Sequence, residues 1–155
     1  LTFLNLNELY KNIHGLDLTV AVEQVHALFL SLSITTHLQN GSVLSMPYPD
    51  NSFDTVLLIS ILEHLKPYEL GTAFQEIHRV LKPGGQVVYG VPVERPFMVF
   101  MFRILQHNIR DEHFSTEKDV YSAAKALFKE IHCSDMIAKP AIFGSVYQVG
   151  HFQKE

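Results

Sequence analysis

Hydrophobic positions along this chain change their period several times, and each change marks a boundary between elements. Leu1, Leu4, Leu9 and Tyr10 are spaced as the end of an amphipathic helix, and Asn12 to Asp17 then reads as a short buried strand ending in an acid. Thr19 is placed to cap a helix whose apolar positions Val22, Val25, Ala27, Leu28, Phe29 and Leu32 fall at helical spacing. A strand over Ile34 to Leu38 runs into a turn at Gln39-Asn40-Gly41. Pro47, Pro49, Asp50, Asn51 and Ser52 form a loop, because each disfavours continued helix or strand. Thr55 to Ile59 is continuously apolar, which predicts a strand buried on both faces of a parallel sheet.

Pro67 can open a helix with the stripe Leu70, Ala73, Phe74, Ile77, Val80 and Leu81, stopped by Lys82-Pro83-Gly84-Gly85. Gln86 to Val91 is a second buried strand. Pro96 to His107 predicts a strongly apolar helix and Thr116 to Ile131 another. Cys133 to Lys139 and Ser145 to Gln153 read as strands joined by a loop short enough for antiparallel neighbours. Alternating strands and helices with a terminal hairpin give an α/β sheet, mostly parallel with one reversed strand.

Composition narrows the partners. The 155 residues, 47% of them apolar, suffice for one domain with a core, spanning 1–155. Twelve Lys plus Arg against sixteen Asp plus Glu leave a net charge of -4, the wrong sign for binding nucleic acid through its phosphates. The single cysteine, Cys133, cannot form an internal disulfide, which suits a cytoplasmic setting. It reads as a structural thiol rather than a nucleophile. The longest apolar run, Phe97 to Phe102, is far below the roughly 20 residues a membrane span needs. The segment Leu1 to Leu6 lacks the charged start of a signal peptide.

In such sheets ligands bind beyond the carboxyl ends of the strands. Asp17 stands at one such end, where a carboxylate can accept hydrogen bonds from both hydroxyls of a ribose; a capping or solvated Asp fits equally well. Gly41-Ser42-Val43 follows another strand, where a backbone amide and a short polar side chain could meet a base edge, or simply make a turn. His64 lies about one helical turn past the strand ending at Ile59, and its ordinary pKa suits a general base. A positioning or structural role for it is equally open. No His or acid pair has metal-ligand spacing, so no metal is expected.

Several blocks together resemble one family. Met46-Pro47-Tyr48-Pro49-Asp50-Asn51-Ser52-Phe53-Asp54, then Leu62-Glu63-His64-Leu65, then Glu76-Ile77-His78-Arg79-Val80-Leu81-Lys82-Pro83-Gly84-Gly85 closely resemble the class I methyltransferases that use S-adenosylmethionine, specifically the small-molecule branch. The resemblance implies a Rossmann-like sheet with helices on both faces. It makes Asp17 and Leu18 similar to the ribose-binding segment, Ser42 and Val43 to the adenine-contacting pair, and Ile59 and Ser60 to the strand end beside the methionine moiety. His113 to Glu117 is similar to the segment before the family's final hairpin.

Two departures stand out. Ser42 replaces the family's usual adenine-binding Asp, and no closely spaced glycine loop of the GxGxG kind occurs in these residues. In the family's fold the first strand lies between those ending at Asp17 and Ile59. Lacking it would leave two rows of backbone groups unpaired, each costing about 1–3 kcal/mol when buried. A first strand and glycine loop are therefore expected in the natural protein, upstream of Leu1.

The family's motif for planar nitrogen, Asn-Pro-Pro and an aromatic, is absent after Ile59. The expected function is thus methyl transfer from S-adenosylmethionine to a small metabolite; the apolar helix at Pro96 to His107 could line a hydrophobic substrate pocket, touch a membrane surface, form an oligomer contact or pack on the core as a lid. The competing readings are a non-catalytic methyltransferase-like scaffold and a nicotinamide-dependent oxidoreductase. The Lys82 to Gly85 turn and the terminal hairpin speak against the latter.

Overall fold

The structure, a computed structural model, describes residues 10, 12–19, 21–93, 113–137 and 144–155. The expected helices over Leu1 to Leu9 and Pro96 to His107 lie outside these residues. The chain divides into two compact units, Leu1–Pro47 and Tyr48–Glu155.

In the first unit, β1 (Ile13–Asp17) pairs in parallel with β2 (Thr36–Asn40), connected by α1 (Val22–Ser31). Among its described residues, Ile13, Ile34, Thr36 and Met46 are buried. Thr19 does not cap α1. Ala21 stands at the N-cap, without a side-chain hydrogen bond, and the Thr19 N–H donates to Asp17 Oδ1 at 2.9 Å. The strand predicted over Ile34 to Leu38 is displaced to Thr36–Asn40 by its pairing with β1.

The second unit holds a four-stranded sheet in the order β3-β4-β6-β5, from β3 (Phe53–Ile59), β4 (Leu81–Pro92), β5 (Lys129–Ile137) and β6 (Ser145–Gln153). β3 and β4 are parallel, and β6 is antiparallel to both its neighbours, the reversed strand and hairpin that the sequence predicts. Helix α2 (Pro67–Val80) starts on Pro67, with the Lys66 N–H held by Glu69 Oε2 at 2.8 Å. It buries Leu70, Ala73, Phe74, Ile77 and Val80. The chain then passes straight into β4, where Lys82 to Gly85 forms a bulge: Phe53 faces Leu81, yet Thr55 faces Gln86. Gly84, at φ 76°, adopts the left-handed conformation this bulge requires.

Arg79 ties the loop before β3 to this frame. It forks onto both Glu76 oxygens at 2.8 Å and donates to the Tyr48 carbonyl and to Asp50 Oδ1, also at 2.8 Å. At the far end Lys154 Nζ donates to the carbonyls of His78 and Leu81 and to Asn51 Oδ1. These contacts fix the start of β3, and hence where its carboxyl end lies.

Two expectations are corrected in this unit. Thr116 does open a helix, α3 (Glu117–Lys125), through a reciprocal cap with Asp119. The helix stops at Lys125 rather than Ile131, because Lys129 onward pairs with β6 from Gln153. β3 is not buried on both faces. Val56 and Leu58 share a face with Val87, Tyr89, Val91 and Phe152, onto which α2 and α3 bring the rings of Phe74 and Tyr121. Leu57 and Ile59 point the other way and are 36% and 46% exposed.

Candidate functional site

Unit one gathers four of the expected residues at the carboxyl ends of its two strands. Asp17 ends β1 and Asn40 ends β2, and the Gly41 N–H donates to the Asp17 carbonyl at 2.9 Å. That bond holds Leu18 beside the loop carrying Ser42 and Val43. A Cβ on Gly41 would come within 2.6 Å of the Leu16 side-chain tip and 3.2 Å of Pro47, so the loop passes closely over both. Ser42 Oγ accepts the Leu44 N–H at 3.1 Å, and the Ser42 carbonyl accepts from Ser45. The hydroxyl is thereby built into a turn while its own proton stays available to an acceptor.

Unit two gathers Ile59, Ser60 and His64. Ser60 follows β3 at φ 51°, a conformation serine rarely adopts, and is held there by its N–H to the Gly90 carbonyl at 2.9 Å. Its hydroxyl pairs with the Tyr147 hydroxyl at 3.1 Å. Tyr147 can lie there because Gly90 has no side chain: a Cβ would meet its ring and hydroxyl at 2.6–3.0 Å. Sequence reasoning passed over Tyr147, since nothing local signals that β6, the third strand after β3 in the chain and two places across the sheet, reaches the end of β3.

A single 3₁₀ turn, Leu62–His64, carries the next chemistry. Leu62 and Glu63 are buried, at 0% and 3% exposure, whereas His64 is exposed. The Glu63 carbonyl accepts the N–H groups of Phe114 and Ser115 at 2.8 and 3.2 Å, and the Ser115 hydroxyl donates to the Leu65 carbonyl. His113 is thus brought edge-on to His64, with ring centroids 5.1 Å apart. Burial pushes the Glu63 carboxyl above the usual carboxylate range, against its own backbone N–H and the two histidines, which pull it down. Glu63 Oε2 is buried without a hydrogen-bond partner.

Oxygen or nitrogen atoms of Glu63, His64 and His113 lie within 4.8 Å of one another. Sequence spacing gave no hint of this cluster, because His113 is some fifty residues from its companions. Cys133 sits partly buried on β5, where burial, and then Glu130 and Asp135, raise its thiol pKa. Among the described residues no helix is long and apolar enough to cross a membrane.

Comparison with known proteins supplies the family. Residues 1–89 match the family described as a methyltransferase domain. The demethylmenaquinone methyltransferase of Geobacillus kaustophilus is 37% identical over 81 residues, which cover 49% of this chain and 32% of that protein. The sterol 24-C-methyltransferase ERG6B of Gibberella zeae is 47% identical over 51 residues, 33% of this chain and 12% of that protein. The chain therefore spans a third or less of the curated relatives it matches. The crystal structure of a SAM-dependent methyltransferase from Methanosarcina mazei superposes with a TM-score of 0.74 at 17% identity, over 97% of this chain and 85% of that one. With the matched pattern covering more than half of its residues, and with the α/β sheet and reversed terminal hairpin described above, the chain belongs to the methyltransferase family and has the fold of the class I S-adenosylmethionine-dependent methyltransferases.

Proposed function

We propose that the protein containing this chain transfers a methyl group from S-adenosylmethionine to a small hydrophobic metabolite. The observation that carries the reading is the match to the methyltransferase family over residues 1–89, which includes the strand ends at Asp17, Ser42 and Ser60. The hydrophobic acceptor is supported by the names of two relatives, whose substrates are demethylmenaquinone and a sterol.

The donor set suits such a cofactor. The Asp17 carboxylate, whose Oδ1 accepts the Thr19 N–H, is the kind of acceptor that ribose hydroxyls need. Ser42 and the backbone at Val43 offer short polar contacts for a base edge, without the charge of an Asp. Bound there, the sulfonium cofactor supplies an electrophilic methyl group, and the protein's task is alignment and proton removal. Ile59 and Ser60, with Ser60 fixed between Gly90 and Tyr147, shape the strand end assigned to the methionine moiety. His64, exposed on the turn that follows, faces the acceptor in this reading, where its imidazole can take a proton or hold an oxygen-bound cation. No covalent nucleophile is needed, and Cys133 is left out of the reaction.

The acidic balance argues against a nucleic-acid acceptor, and the lone cysteine supports a cytoplasmic location. The test is transfer of a labelled methyl group by the full-length protein to a panel of isoprenoid hydroquinones and sterols beside a water-soluble panel. Label entering the organic phase supports the reading. Label entering only water-soluble acceptors overturns the hydrophobic substrate, and none in either overturns methyl transfer.

A further inference from the structure

We propose that Glu63, His64 and His113 form a binding site for a divalent transition-metal cation, with zinc the best fit. The inference rests on geometry within one unit and does not depend on the methyltransferase reading. Three donors, two imidazole nitrogens and a carboxylate oxygen, already converge within 4.8 Å. Tetrahedral zinc, with bonds of about 2.0–2.2 Å, holds its donors about 3.4 Å apart, so binding closes the set by at most about 1.4 Å through side-chain rotation.

The second observation is the carboxylate. Glu63 is 3% exposed, and its Oε2 has no hydrogen-bond partner. Native proteins rarely leave such an atom orphaned, since burying it without a partner is costly. A doubly charged cation beside it removes that cost. The backbone prepares the arrangement: two N–H groups from Phe114 and Ser115 clamp the Glu63 carbonyl, and the Ser115 hydroxyl is bonded to the Leu65 carbonyl. His113 is thereby carried to the 3₁₀ turn by main-chain bonds on the residues next to it.

Donor chemistry selects the metal. Imidazole and carboxylate suit zinc, iron, cobalt and nickel, whereas magnesium and calcium prefer all-oxygen sets. Three protein ligands leave the fourth position of a tetrahedral ion open. Exposed His64 and partly exposed His113 put that position toward solvent, where it can carry water or a hydroxyl oxygen, lowering its pKa. His64 would then act as a ligand rather than as a free base.

The test uses the full-length protein, stripped with a chelator and titrated by calorimetry with Zn²⁺, with Mg²⁺ as a control and Co²⁺ as a spectroscopic probe. The expected result is one Zn²⁺ per chain, no saturable Mg²⁺ binding, and the visible bands of low-coordinate Co²⁺. Glu63→Gln, His64→Gln and His113→Gln, each checked for folding by circular dichroism, should each weaken Zn²⁺ binding by about 100-fold or more, beyond the 10–100-fold seen when only an outer partner is lost. Should Glu63→Gln or His113→Gln fail to fold, His64→Gln, at an exposed side chain, decides the question by itself. No saturable Zn²⁺ binding in the wild type, or binding unaltered in the folded variants, would overturn the site.

Discussion

Asp17 allows the structural and ligand-binding roles of one carboxylate to be separated by two substitutions. Its Oδ1 accepts the Thr19 N–H, a bond that Asp17→Asn can keep and Asp17→Ala cannot. The amide of Asn has one acceptor oxygen and no charge, so one of two ribose hydroxyls loses its partner. A charge-assisted bond of about 1.5–3 kcal/mol corresponds to affinity lowered roughly 10- to 150-fold. Asp17→Ala removes both partners, about 2–4 kcal/mol after water compensates in part, or roughly 30- to 900-fold. Only Asp17→Ala should also lose the Thr19 bond, worth about 1 kcal/mol of stability. Calorimetric titration of the full-length protein with S-adenosylhomocysteine reads the first effect, and thermal unfolding the second. Unchanged affinity in Asp17→Ala would place the ribose elsewhere and refute the assignment.

Gly150→Ala should destabilise by about 3 kcal/mol, lowering the melting temperature by roughly 6–12 °C, because a Cβ there runs into the ring of Tyr89, which is 0% exposed and stacked on Phe152. Differential scanning calorimetry measures it, and a shift under 2 °C (roughly) would show that the sheet yields more easily than its packing implies. Lys154→Met should cost about 2–4 kcal/mol through three lost acceptor contacts, and should let the His78 pKa recover only in part, since burial lowers it more than Lys154 does. NMR titration of His78 in the variant checks this, and full recovery would reverse the order of the two causes. Burial, and then His37 stacked at 4.7 Å, also lowers the His14 pKa. Both histidines resist protonation when folded, so the stability they contribute is present above about pH 6.5 and lost as pH falls through their lowered values. Chemical unfolding at pH 5 and pH 7.5 should show this loss, and its reduction in a His14→Gln, His78→Gln double variant.

What could be read from sequence was governed by local periodicity. Helix α2 is legible because Pro67, one apolar stripe and the Lys82 to Gly85 stop all agree, and no distant contact overrides them. β6 is legible for the same reason. The end of α3 is not: Val120, Ala124, Phe128 and Ile131 keep helical spacing, but pairing of Lys129 with Gln153 makes that segment a strand. Thr19 looked like a cap from its residue type alone, but the helix starts at Val22, too far along for Thr19 to be its N-cap. The Asp17, Ser42 and Ser60 positions followed from family likeness at strand ends. Glu63 with His113, and Ser60 with Tyr147, are products of tertiary contact between distant segments, which no periodicity encodes.

The central claim is that this chain's strand ends belong to an S-adenosylmethionine site. Titration of the full-length wild-type protein with S-adenosylhomocysteine by calorimetry tests it most directly. Saturable binding of one ligand per chain is expected, with a dissociation constant well below the millimolar range. An absence of binding up to millimolar ligand would contradict it and leave a methyltransferase fold without its cofactor.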